Sequence, residues 1–158
     1  MTKSANREFW SEPVGSLTLQ KALTVKSDTA VADAVRLMQE KGKGCVCVQD
    51  DTGAVVGIFT ERDVMVHFIG QSLSPNTPVD QVMTPDPVMV NPETPLAEAI
   101  EIFYEHKFHH LPVLNGNGRL KGLLSIRVAV DFVAENLPGE VLNRPPDASL
   151  TAVEEGGG

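Results

Sequence analysis

Apolar residues recur along this chain in a pattern that is written twice. Val31, Val35 and Met38 stand at helical spacing, and Leu96, Ile100 and Phe103 repeat that stripe 65 residues further on. Each stripe is followed by a short apolar run, Cys45-Val46-Cys47-Val48 or Leu111-Pro112-Val113-Leu114. A polar, glycine-bearing turn comes next, at 50–53 or 115–118, and then a second apolar run, 54–59 or 120–124. Two apolar runs around such a turn predict a hairpin. Closing helices are predicted at about 61–69 and 126–136. Each copy therefore reads short strand, helix, strand, strand, helix, an α+β unit.

Shifted by 65 residues, positions 17–66 align with 82–131 without a gap. Nine of these 50 positions are identical, among them Gly57/Gly122 and Arg62/Arg127. Others, such as Leu23/Val88 and Val46/Leu111, stay apolar in both copies. A hydrophobic register kept without a gap argues for one structure built twice. The chain divides into an N-terminal segment (1–16, with Phe9 and Trp10), a first repeat (17–70), a linker (71–81), a second repeat (82–136) and a polar tail (137–158) expected to be mostly disordered. The proline-rich stretch 70–87 is expected to form turns of its own. Thr94-Pro95 reads as a helix start, a capping hydroxyl followed by proline at the first helical position, with Thr29 in the same part in copy one.

Composition narrows the classes. The 158 residues suit one compact domain or two small halves sharing a core. With 13 Lys and Arg against 21 Asp and Glu, the net charge is −8. That balance disfavours nonspecific binding to nucleic acid or to an anionic membrane, but not a small anion in a locally basic cleft. No apolar run is long enough to span a bilayer, and the first ten residues lack an apolar signal core, so a cytoplasmic location is expected. Cys45 and Cys47 read as small buried strand residues rather than a disulfide pair or a metal site.

The segment richest in chemistry is Gly57-Ile58-Phe59-Thr60-Glu61-Arg62-Asp63, which joins a strand to a helix. Glycine permits close backbone approach, and the free amides of a helix start attract anions. Thr60 and Arg62 offer a hydroxyl and a positive charge to a phosphate, and Asp63 offers acceptors to a ribose diol. The same Thr-x-x-Asp spacing also describes a capping box. The two readings are compatible, because one hydroxyl can serve the cap in the empty state and a ligand in the bound one.

Residues 57–63, together with His109-His110-Leu111-Pro112-Val113 and the 65-residue repeat, resemble the cystathionine-β-synthase (CBS) domain in tandem, a stand-alone Bateman module, over about residues 14–136. The resemblance implies two repeats packed about a pseudo-twofold axis with two clefts between them. Cleft one would combine Ile58, Thr60, Arg62 and Asp63 with Val88, His110, Leu111 and Pro112. Its apolar members would sandwich an adenine, Asp63 would hold the ribose, and Arg62 or His110 would face a phosphate. Cleft two would combine Leu123, Ser125 and Arg127 with Leu23, Cys45 and Val46, but Val128 stands where the motif has its aspartate. One competent and one weaker cleft are therefore expected.

The remaining candidates fit structural roles. His106, His109 and His110 lie at a helix end, where histidine suits the helix dipole, and no metal is expected. The chain has no nucleophile elbow, Walker loop or HExxH pattern, so an enzyme is not expected. The resemblance implies an effector rather than a required cofactor: AMP, ADP, ATP or S-adenosylmethionine. It also implies a homodimer through the helices and a separate regulated protein. The alternative is a ligand-independent dimerisation or protein-interaction module in which Thr60 and Asp63 only cap a helix.

Overall fold

Both copies of the hydrophobic pattern fold as expected in a computed structural model that describes residues 9–70 and 73–137. The tail beyond 137 and residues 1–8 of the N-terminal segment lie outside the described residues. The first copy runs β1 (Thr24–Lys26), α1 (Val31–Lys41), β2 (Cys45–Gln49), β3 (Val55–Thr60) and α2 (Glu61–Gly70). A short strand β4 (Thr84–Pro85) follows, then α3 (Leu96–His106), β5 (His110–Leu114), β6 (Leu120–Ser125) and α4 (Ile126–Glu135).

β1 pairs parallel with β2, β2 antiparallel with β3, and β3 antiparallel with β4, giving the order β1-β2-β3-β4. The second sheet is the β5-β6 hairpin, flanked by isolated bridges at Val90–Val113 and Gln20–Leu123. The first strand of copy two shrinks to that single Val90 bridge for a covalent reason. In copy one the Cys47 amide donates to the Leu23 carbonyl at 2.8 Å. Its counterpart is Pro112, which has no amide to donate.

Strand alternation sends successive side chains to opposite faces. Val46, Val48 and Phe59 join Val31, Ala34 and Met38 in one helix-side core. Leu111, Val113 and Leu124 join Leu96, Ala99 and Phe103 in the other. The opposite faces meet between the repeats, where Cys45, Cys47, Val55, Ile58 and Leu123 form a third buried cluster.

The segments before each repeat are exchanged. Val14 donates to the Thr94 carbonyl at 2.9 Å, and its counterpart Val79 donates to the Thr29 carbonyl at 2.8 Å. Leu96 donates to the Glu12 carbonyl at 2.8 Å, and Val31 to the Thr77 carbonyl at 2.9 Å. Each partner pair keeps the offset of 65, so the segment leading into one repeat docks on the other. This exchange corrects the expected helix starts. α1 and α3 begin after Ala30 and Pro95, and neither carries a side-chain cap. Their first amides are satisfied by the exchanged backbone instead. The Thr94 hydroxyl accepts from the Asn91 amide at 3.1 Å, within the preceding turn.

The exchange also explains two glycines. A Cβ on Gly57 would run into the Met83 thioether, and one on Gly122 would come within 2.9 Å of the Gln20 carbonyl oxygen. Each glycine lets the exchanged segment cross its strand.

Candidate functional site: the crevices between the repeats

Register places the motif side chains on the inter-repeat faces. Cys45 pairs with Thr60 and Cys47 with Ile58; His110 pairs with Ser125 and Pro112 with Leu123. Ile58 and Leu123 therefore meet across the axis, and Thr60 and Ser125 sit at the strand ends where α2 and α4 begin.

At the start of α2, Asp63 and Thr60 form a reciprocal capping box. One carboxylate oxygen of Asp63 accepts from the Thr60 amide at 2.9 Å and from the Thr60 hydroxyl at 3.1 Å, while that hydroxyl accepts from the Asp63 amide at 3.3 Å. The other carboxylate oxygen accepts only a long contact, 3.4 Å, from the Thr84 hydroxyl. Asp63 thus keeps acceptor capacity on its outer oxygen while its inner one holds the helix. Sequence reasoning missed Thr84. Its signal lies in the exchange, which carries β4 across Gly57 to the foot of the motif.

Copy two is built differently at the same place. The Ser125 hydroxyl accepts from the Arg127 amide at 3.0 Å, and Val128 packs against the second core. Among the described residues, no carboxylate is bonded there in the place that Asp63 holds in copy one.

Other predicted residues divide by face. Leu23, Cys45 and Leu123 line one cavity of about 180 Å³ together with Lys43 and His110. His110 therefore lies in the cleft with Leu23 and Cys45, not in the one expected with Asp63. It is the 65-residue counterpart of Cys45, and the first residues of the two middle strands come together there. Leu111 and Val46 are fully buried, and their side chains belong to the two helix-side cores rather than to either crevice. Strand alternation gives the crevice face to their neighbours His110, Pro112, Cys45 and Cys47 instead. Val88 is half-buried just before the Val90 bridge. Arg62 and Arg127 are exposed on the first turns of α2 and α4.

Burial lowers the His110 pKa, the neighbouring His109 adds to the fall, and Lys43 lowers it further against an opposing pull from Glu61. The shift favours the neutral form of its imidazole. Burial pushes the Cys45 thiol up to about 11, with Glu61 adding and Lys43 opposing, and it pushes Cys47 up to about 12 with a contribution from Cys45. Both cysteines are free and buried. Among the described residues, no group of three or more His, Cys, Asp or Glu is placed to hold a metal ion, and no helix is long and apolar enough to cross a membrane.

A four-stranded sheet and a hairpin sheet that share a buried cluster between them, with a Thr-x-x-Asp helix start beside it, define a tandem-repeat α+β scaffold. The CBS domain family matches residues 14–70 and 79–135, and the chain belongs to that family. A 17.7 kDa protein from Acidianus ambivalens is 34% identical over 114 residues, covering 72% of this chain and 68% of that protein. The CBS domain-containing protein CBSCBSPB2 of Arabidopsis thaliana is 34% identical over 143 residues, 90% of this chain but only 26% of that longer protein. The structure of CBSX2 in complex with AMP superposes with a TM-score of 0.66 at 29% identity, over 78% of this chain and 96% of CBSX2.

Proposed function

We propose that this CBS pair is a regulatory module, not an enzyme, that binds an adenosyl ligand (AMP, ADP, ATP or S-adenosylmethionine) between its repeats and signals by a conformational shift. The observation that carries this reading is the half-committed Asp63 carboxylate. Its inner oxygen is held by Thr60, and its outer oxygen faces Thr84 with capacity to accept a ribose diol. The AMP complex of CBSX2 supports the ligand class.

Ile58 and Pro112 supply apolar surface for an adenine, Thr60 and the exposed Arg62 lie near a phosphate path, and Val88 closes the wall. The cleft of Leu23, Cys45, Leu123 and Ser125, flanked by Arg127, is the weaker one. With Val128 in place of a carboxylate, it forgoes a charged hydrogen bond, about 1.5–3 kcal/mol. A ligand bridging both repeats favours one relative orientation, and its effect is bounded by its differential affinity for the two states. The exchanged segments are the natural transmitter, since each is bonded to the opposite repeat.

The module acts as a cytoplasmic homodimer on a separate protein and needs no resident cofactor. Met65, Val66 and Ile69 on α2 and Val130 on α4 are exposed apolar residues that suit a helix-mediated dimer. The same residues favour the second reading, a ligand-independent dimerisation or protein-interaction module whose Thr60 and Asp63 only cap α2.

A thermal-shift series with adenosyl ligands separates the two. A ligand at 100 times its dissociation constant stabilises the fold by about 2.7 kcal/mol. No shift with any of the four ligands would select the second reading. Light scattering tests the dimer, and a monomer at working concentration would count against it.

A further inference from the structure

At the turn end of the hairpins, away from the Thr60–Asp63 motif, a cavity of about 520 Å³ opens between the repeats. Lys21, Arg119 and Lys121 line it, together with the polar groups of Thr24, Gln49 and Thr52. No carboxylate lines it, although the chain as a whole carries a net charge of −8. Among the described residues, none of the three cations takes part in an ion pair; the one found joins Arg36 and Asp33. The turn at 50–53, which lines the cavity through Thr52 and Gly53, carries two acidic residues. One carboxylate oxygen of Asp50 is held there, accepting from the Thr52 amide at 2.9 Å, the Thr52 hydroxyl at 2.6 Å and the Ala54 amide at 3.1 Å. Asp51 is exposed.

The scaffold does not require these cations. The 65-residue counterparts of Lys21, Arg119 and Lys121 are Asp86, Ala54 and Val56. The backbone is the same in both copies: Val113 pairs with Gly122 and Leu114 with Leu120, so Lys121 is the extra residue of a bulge, as Val56 is between Gly57 and Val55. Bulges re-aim a side chain. The Arg119 amide is fixed by the Asn115 side chain at 3.1 Å, and Lys21 follows Gln20, which bridges to Leu123. Three like charges, one from the first repeat and two from the second, are therefore gathered on held backbone, and their 65-residue counterparts carry no such set.

We propose that this cleft is a second ligand site, one that takes a small oligophosphate anion against Lys21, Arg119 and Lys121. Such a ligand spreads several charges over a few ångströms, as the three cations are spread. Arg119 supplies paired donors and the lysines supply point charges. None of the residues assigned to the two adenosyl clefts lines it, so it stands apart from the adenosyl reading. Lys21 also borders the smaller cavity at Leu23 and Cys45, and this shared wall gives the two sites a route to influence each other.

The test is calorimetric titration of the full chain with inorganic tripolyphosphate. One site per chain is expected, with affinity that falls as salt rises. Arg119→Ser and Lys121→Ser should each weaken binding by about tenfold, the loss of one charged hydrogen bond. Arg119→Lys should retain most of it. Asp63→Ala should leave it unchanged, and so should Lys41→Ser with Lys107→Ser, which removes cations outside the cleft. Displacement of tripolyphosphate by ATP in the Asp63→Ala chain would assign the cleft to a nucleotide's phosphate tail, and failure of ATP to compete would assign it to a free oligophosphate. Absence of binding, cleft variants that bind like the parent, or equal loss in the Lys41/Lys107 variant would overturn the proposal.

Discussion

The Thr84 hydroxyl stands 3.4 Å from the outer oxygen of the Asp63 carboxylate, so the segment that enters the second repeat touches the helix start of the first. A ligand that takes this oxygen competes with Thr84. Binding there would thereby be coupled to the segment that joins the repeats. Asp63→Ala removes both the capping-box acceptor and this contact. A stability loss of about 1 kcal/mol is expected from the cap and the helix dipole. Adenosyl binding at the tight site should be abolished. Denaturant unfolding and calorimetry measure the two effects separately. Retained tight binding in a folded Asp63→Ala chain would remove Asp63 from the site.

The stoichiometry of adenosyl binding follows from the comparison of the two helix starts. Thr60 has Asp63 three residues on, whereas Ser125 has Val128, turned into the second core. One tight site per chain is expected by calorimetry. Two sites of equal affinity would show that the carboxylate is dispensable.

The two crossing glycines should not be equivalent. Alanine at Gly57 meets a flexible Met83 side chain, while alanine at Gly122 meets the Gln20 backbone carbonyl. A thioether can rotate away; a carbonyl bonded to Leu123 at 2.9 Å cannot move without breaking its bridge. Gly122→Ala should cost about 1–3 kcal/mol, and Gly57→Ala less. Met83→Ala should relieve much of the Gly57→Ala loss. Equal losses without relief would place the clash elsewhere.

How much of this was legible in the sequence depended on whether the interaction was local. The helical stripes and hairpins follow from nearby residues, and the 65-residue register exposed their duplication. The exchange did not show, because Val14 and Val79 bond to residues in the opposite repeat. A trace was present: Pro13-Val14 and Pro78-Val79 are identical dipeptides at the same offset, just outside the aligned stretch. The resemblance named Leu111 and Val46 for the crevices, while strand alternation buries both on the helix side. Thr84 could not be found by periodicity, since β4 is a two-residue strand whose position depends on its crossing of β3.

The thiols of Cys45 and Cys47 should be silent in the native state. Burial holds their pKa values at about 11 and about 12, so at pH 8 the more acidic one is thiolate in only about one molecule in a thousand. Alkylation should wait for opening of the inter-repeat cluster and should accelerate in urea along the unfolding curve. Fast labelling in native buffer would show that the cluster opens readily.

His110 should make stability depend on pH in a definite direction. Its pKa is lowered in the fold, chiefly by burial, so the unfolded chain takes up a proton more readily than the folded one. The stability linked to neutral His110 is complete above its ordinary pKa of about 6.5. It declines as pH falls through that value, until the folded imidazole itself protonates. Thermal unfolding at pH 7.5 and 5.5 should show a drop that is smaller in His110→Gln. His109 contributes to the lowering, so His109→Gln should leave a drop smaller than that of the parent and larger than that of His110→Gln. An unchanged pH dependence in His110→Gln would mean that the imidazole is not buried against Leu23, Cys45 and Lys43 as the cavity places it.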